Sequence, residues 1–193
     1  RMTKQVQFGC SQPKVMGDCL TAAMRKLALE VDAIARTIGE WQAAHPGMGL
    51  LALLPEAEAP RLPLLQQVCR DHAVPLVGAI FPALLSSQGF CQEGVWLLRL
   101  DSMPPAFLIP DIHLDAQDAA ARTACAVEAC LATRAPPDHP PTLYMVFDGL
   151  VGHIASLLDA LYLRLADRVD YAGVNAGSES FQPMPCLFDS HQV

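Results

Sequence analysis

Leu143-Tyr144-Met145-Val146-Phe147-Asp148-Gly149-Leu150 is the stretch on which the fold of this chain turns. Five apolar or aromatic residues in a row, closed by Asp-Gly, read as a buried strand that turns into a helix over residues 150–165. A second strand follows at Asp170-Tyr171-Ala172-Gly173, then a polar loop over 175–181, then a closing strand at Cys186-Leu187-Phe188. The first half runs in the same order. Leu50-Leu51-Ala52-Leu53-Leu54 leads through a helix near 61–72 to Pro75-Leu76-Val77-Gly78, a polar loop and Gly94-Val95-Trp96-Leu97-Leu98. The match is of pattern more than of residue identity. Units of this kind cannot bury a sheet face alone, so the expectation is two β-α-β-β repeats over one shared core, with their loops gathered above it.

Outward from these units, residues 15–41 place apolar side chains at 16, 20, 24, 27, 31, 34, 38 and 41. Steps of three and four predict one long N-terminal amphipathic helix, ended by His45-Pro46-Gly47. Val6–Cys10 reads as a short strand before it, and Phe107-Leu108-Ile109 as another between prolines. A connector helix is expected over 115–133, then a stiff proline-rich segment over 135–141. The fold class is therefore α/β, a layered fold with mixed sheet. Its organisation is one domain over 1–193, with a first lobe at 1–110 and the connector helix plus second lobe at 111–193.

With 193 residues, 52% of them hydrophobic, the chain can bury a sizeable core. No apolar run approaches the ~20 residues of a membrane-spanning helix, and the first ten residues lack the apolar stretch of a signal peptide. A net charge of −7 with scattered Lys and Arg disfavours nucleic acid. Seven cysteines, at 10, 19, 69, 91, 125, 130 and 186, form no CxxC pair and read as reduced, mostly buried small hydrophobes of a cytoplasmic protein.

The run Thr142–Leu150, together with Tyr171-Ala172-Gly173-Val174-Asn175-Ala176-Gly177-Ser178-Glu179, resembles the N-terminal domain of the FIST family of bacterial intracellular sensors. Leu50–Gly78 and Gly9-Cys10-Ser11 fit the same pattern; Asn175-Ala176 departs from the family's Gly-Gly turn. The resemblance implies a signal-transduction module that binds small molecules such as amino acids and has no catalytic residues. It implies a histidine kinase or a cyclic-di-GMP enzyme as output partner and, in some relatives, haem for sensing nitric oxide. It also implies a C-terminal FIST domain after the first, and the expectation is that residues 1–193 hold the first domain alone.

Candidate ligand contacts follow from loop chemistry. Asp148 and Gly149 end a strand just before a helix, where ligands gather in α/β sheets. Asp148 is equally a helix cap. As a ligand group it would attract an ammonium and repel a bare phosphate. Asn175, Gly177, Ser178 and Glu179 form a polar turn that offers hydroxyl and amide donors and a second carboxylate; an ordinary tight turn is the alternative. Ser86 and Ser87 are the matching lip from the first unit. His113 and His153 are the histidines to consider as axial ligands if haem is present, against plain exposed loop and helix positions. His72 reads as packing or a helix C-terminal cap. No histidine–cysteine set has zinc spacing, and no GxSxG, GxGxxG or P-loop occurs. A hydrolase or transferase using Cys10 or Ser178 is the remaining enzymatic alternative.

Overall fold

The computed structural model describes residues 23–87, 89–112, 114–133 and 139–193. The leucine run becomes strand β2, Gly49–Pro55, which pairs in parallel with β3, Leu76–Phe81, in the register Leu50↔Leu76 to Pro55↔Phe81. The crossover between them is a short 3-10 turn, Glu56–Arg61, and a helix, Leu62–Asp71. Strand β6, Val95–Leu100, lies antiparallel on the other edge of β2. Beyond it lies β1, Met24–Leu27. A small hairpin, β4 Leu84–Ser86 with β5 Gly89–Cys91, projects between β3 and β6 in the chain.

The helices are numbered along the chain: α1, Val31–Ala44; α2, Leu62–Asp71; α3, Ala116–Ala132; and α4, Ile154–Leu165. Ile34, Ile38 and Trp41 of α1 and Leu65, Val68 and Cys69 of α2 share a core with Leu50, Ala52, Leu54, Ile80 and Leu97 of the sheet. Alternate residues of β2 are buried on that side, as the two-residue side-chain period of a strand requires.

In the second half, β7, Thr142–Asp148, pairs in parallel with β8, Asp170–Ala176, across helix α4. Helix α3 packs on α4, and its N-terminus is capped by Asp115, whose carboxylate accepts from the Gln117 and Asp118 N–H groups. Ala120, Ala124, Val127, Ala160, Leu161, Leu165 and Val169 form a core of their own, joined by Leu143, Met145 and Tyr171. The architecture is mixed α/β.

Four expectations change. Two cores replace the single one: the first still takes in Val146, Ala176, Cys186 and Phe188 of the second half, and the second lies between α3, α4 and β7–β8. The halves also part company at their closing strands: β6 pairs with β2, whereas β9, Leu187–Asp189, leaves its own unit and pairs antiparallel with β3, giving the order β1-β6-β2-β3-β9. A single Gly78 makes that exchange sterically feasible. It faces Phe188 across the pair, where any Cβ would overlap the Phe188 ring and the Ala52 carbonyl oxygen.

The long N-terminal helix is likewise shorter than its periodicity suggests. Residues 24–27 are strand, and α1 starts at Val31 after an extended Glu30. Met, Arg, Lys and Leu favour helix intrinsically, but ladder bonds to the edge of β6 outweigh that preference. Residues 15–22, and the strand expected at Val6–Cys10, lie outside the described residues. Phe107-Leu108-Ile109 forms no strand; Pro104, Pro105 and Pro110 strip its surroundings of ladder donors. No helix among the described residues is long and apolar enough to cross a membrane.

Candidate binding groove at the strand ends

The carboxyl ends of β3 and β8 meet. Ile80 of β3 accepts from the Gly177 N–H at 2.9 Å and donates its own N–H to the Cys186 carbonyl at 2.8 Å. Both ends of the 178–185 segment are thus pinned on one residue, the closed neck of an Ω-type loop. Gly177 takes φ of 138°, a conformation that side chains resist, as the chain leaves β8.

Glu56, the first residue after β2, staples this loop from the other unit. Its carboxylate accepts from the Ser178 hydroxyl at 2.8 Å and from the Glu179 N–H at 2.7 Å. Ser178 is buried, and its oxygen also meets the Ser180 hydroxyl at 2.8 Å and the Ser180 N–H at 3.1 Å. Across from it, the Gln92 amide donates to the Glu179 carboxylate at 3.3 Å. Glu56, Ala57, Pro82, Gln92, Glu179 and Ser180 line an open groove of about 400 Å³. Two carboxylates, an amide and a hydroxyl line it with no cation among them, so it favours a positively charged guest.

Several residues singled out in the sequence sit here, in altered roles. Glu179 lines the groove, and Ser178 and Gly177 build its wall. The donors expected of the turn, however, are spent internally: the Ser178 hydroxyl and the Glu179 N–H serve Glu56, and the Ser180 N–H serves Ser178. Asn175 is an exposed residue of β8, before the turn.

Asp148 lies one layer back. Its Oδ1 accepts from the Leu150 N–H at 2.9 Å and faces Gly177, and the Gly149 N–H donates to the Ala176 carbonyl at 2.8 Å. Asp148 caps a tight turn. Helix α4 starts later, after His153 at φ of 67°, and draws no side-chain cap from Asp148. Burial, followed by the charge of Asp148, pushes the Cys186 thiol up to about 11.

Ser86 and Ser87 do not reach the groove. The Ser86 hydroxyl donates to the Gly89 carbonyl at 3.1 Å and closes the β4–β5 hairpin, and Ser87 is exposed at its tip. The first unit's lip comes instead from the hairpin's base, Pro82 and Gln92. Glu56 and Gln92 were missed by the sequence reading. The rule that picked Asp148 at the end of β7 applies equally to Glu56 at the end of β2.

His113 lies outside the described residues, as do Cys10 and the Gly9-Cys10-Ser11 opening. His153 is exposed, which does not fit the apolar slot an axial haem ligand needs. No group of three or more His, Cys, Asp or Glu among the described residues is arranged to hold a metal. The hydroxyl of Ser178 is held by a carboxylate and a second serine, and among the described residues no histidine is hydrogen-bonded to it as a base. Of the described cysteines, only Cys69 and Cys186 are buried; Cys91 and Cys130 are half-buried and Cys125 is exposed.

A second groove, of about 440 Å³, is lined by residues 26–29 with Glu58, Arg61, Glu93 and Gly94, and its central polar groups answer one another. Glu58 accepts from the Gly94 N–H and pairs with Arg61, which also donates to the Leu29 carbonyl. In comparisons with known proteins, no family model, no curated protein and no solved structure matches this chain.

Proposed function

We propose that this chain is a FIST-like, intracellular signal-transduction sensor domain that binds a small polar, amino-acid-like ligand in the Glu56–Glu179 groove. The observation that carries this reading is the staple from Glu56 to Ser178 and Glu179, which draws the strand-end loops of both units onto one cavity of metabolite size. The ligand enters amine first. Its ammonium meets the Glu179 carboxylate, while the Gln92 amide and Ser180 hydroxyl contact its polar body. Glu56 is already satisfied by the loop and positions it. Occupancy stiffens the loop held at Ile80 and biases a downstream signalling protein, a histidine kinase or a cyclic-di-GMP enzyme.

A thermal-shift screen against amino acids and small amines tests this. A ligand present at 100 times its Kd stabilises by about 2.7 kcal/mol, roughly 5–10 °C for a domain of this size. The shift is expected to vanish in Glu179→Gln. Absence of stabilisation by every amine-bearing compound overturns the proposal.

A further inference from the structure

Lys26 and Cys91 hold an ammonium and a sulfur in contact at a place the ligand reading does not use. Lys26 is exposed on β1, where it pairs with Trp96 of β6. Cys91 ends the β4–β5 hairpin opposite Leu84 and is half-buried. The Lys26 Nζ lies 2.6 Å from the Cys91 Sγ. In its thiol form Cys91 donates to the Glu93 carbonyl at 3.2 Å. The two side chains are 65 residues apart in the chain, so ladder pairing on both sides, and not local sequence, sets their meeting.

The chemistry of such a pair is directional. A thiolate is the nucleophile toward peroxide, and a neighbouring ammonium favours it. The hydrogen bond from Lys26 accordingly holds the Cys91 thiol below its usual range. Among the other described cysteines, burial pushes the Cys69 thiol up to about 12 and makes it inert, and Cys125 is exposed on α3.

We propose that Lys26 and Cys91 form a peroxide-responsive covalent cross-link, a bond between Nζ and Sγ. The Cys91 thiolate attacks hydrogen peroxide, forming an S–O bond as the O–O bond breaks. The departing hydroxide takes a proton from the Lys26 ammonium and leaves as water. That transfer frees the amine lone pair beside the new sulfenic acid. The amine then attacks sulfur, the S–O bond breaks, and the hydroxide leaves as a second water with the proton lost by nitrogen. Peroxide is reduced by two electrons and sulfur is oxidised by two. Condensation of a sulfenic acid with a nitrogen is known chemistry for this oxidation level, and reduction by a thiol reverses it. Holding both atoms in contact supplies the proximity that favours closure over further oxidation. The link would also fix the hairpin base, where the next residue, Gln92, lines the ligand groove.

Peptide mapping of the intact chain after treatment with hydrogen peroxide tests the proposal. The expected product is a Lys26 peptide joined to a Cys91 peptide, lighter by two hydrogens than their sum and released by dithiothreitol. Lys26→Met is expected to abolish the link and slow Cys91 oxidation several-fold relative to Cys125, with an unchanged melting curve. Cys91→Ser is expected to remove the linked pair. Three results overturn it: Cys91 oxidised in the wild type with no linked peptide, equal oxidation rates in the wild type and Lys26→Met, or a linked pair that keeps an oxygen between nitrogen and sulfur.

Discussion

Replacing Glu56 by Ala should loosen one defined loop, and the size of the effect follows from two bonds. The carboxylate accepts from the buried Ser178 hydroxyl and from the Glu179 backbone N–H. Hydrogen bonds to a charged group contribute about 1.5–3 kcal/mol each, and the half-buried setting of Glu56 favours the lower end. Ser178 retains Ser180 as a partner, whereas the Glu179 N–H is left to water. The expected net loss is therefore about 2 kcal/mol, a fall in Tm of roughly 4–8 °C for a chain of this length.

Glu56→Gln separates charge from geometry. Its amide oxygen can still accept from Glu179 N–H while its amide nitrogen donates to the Ser178 oxygen, so the cost should fall to about 1 kcal/mol. Differential scanning calorimetry of the two variants, with amide exchange at Gly177–Ser180, reads both the size and the place of the effect. A double-mutant cycle with Ser178→Ala should give a coupling of about 1 kcal/mol. Equal melting of Glu56→Ala and wild type, or exchange that quickens elsewhere and not in this loop, would refute the staple.

Other outcomes are expected from single features. Gly78→Ala should cost about 3 kcal/mol or more in chemical denaturation, because its Cβ overlaps both Phe188 and a backbone oxygen; Phe188→Leu in the same chain should recover only part of the loss. Phe188→Ala, at a fully buried ring, should cost about 3–5 kcal/mol by the same measurement. Burial opposes the charge of Asp189, yet the N–H groups of His191 and Gln192 and the Gln192 side chain hold its carboxyl below the usual range. Its contribution is therefore complete above about pH 4 and is lost as pH falls from there through the lower folded value; urea titrations across that window should show a slope that Asp189→Asn removes. Cys69 and Cys186, with thiols raised to about 12 and 11, should resist iodoacetamide at neutral pH while exposed Cys125 reacts.

The strand–helix–strand order of each half was legible because Leu50–Leu54 and Leu143–Phe147 are uninterrupted apolar runs; only the first is buried as expected, since β7 has no fully buried residue and Tyr144 is exposed. The connector helix was legible from Asp115 and the alanine-rich segment after it. What failed was whatever depended on distant pairing. Nothing local in Met24-Arg25-Lys26-Leu27 announces a strand, since the reason for it is the open edge of β6, some seventy residues on. Nothing in Cys186-Leu187-Phe188 says that the partner is β3 and not β7; that choice depends on the missing side chain at Gly78. The candidate site was half legible for the same reason. Glu179 and Ser178 declared themselves as a polar turn, but their partner Glu56 is a lone carboxylate in sequence and acquires its role only when β2 and β8 end side by side.

The exchange of β9 carries a consequence for how the halves communicate. Had β9 paired within its own unit, the loop before it would be tied to the first unit only at its start, through Ile80 and Glu56. It pairs instead with β3, so the segment from Gly177 to Cys186 starts at the end of β8, laddered to β7, and both its flanking residues, Ala176 and Cys186, pack in the first core. A force on Glu179 is then resisted along two paths: through Ala176 and the β8–β7 ladder, and through Phe188 to β2, β3 and α2. Cutting that tie without touching the groove isolates its role. Gln66 of α2 donates to the Asp189 carbonyl at 2.8 Å, and Leu76 N–H to the Ser190 hydroxyl at 2.9 Å, both anchoring the end of β9 far from Glu179. Gln66→Leu together with Ser190→Ala removes those anchors and should cost about 2 kcal/mol. If the loop is held along both paths, amide exchange at residues 178–181 quickens in this variant although none of its contacts has changed. If exchange there stays at the wild-type rate, the loop is a property of the Glu56 staple alone and the crossing of β9 carries no signal between the halves.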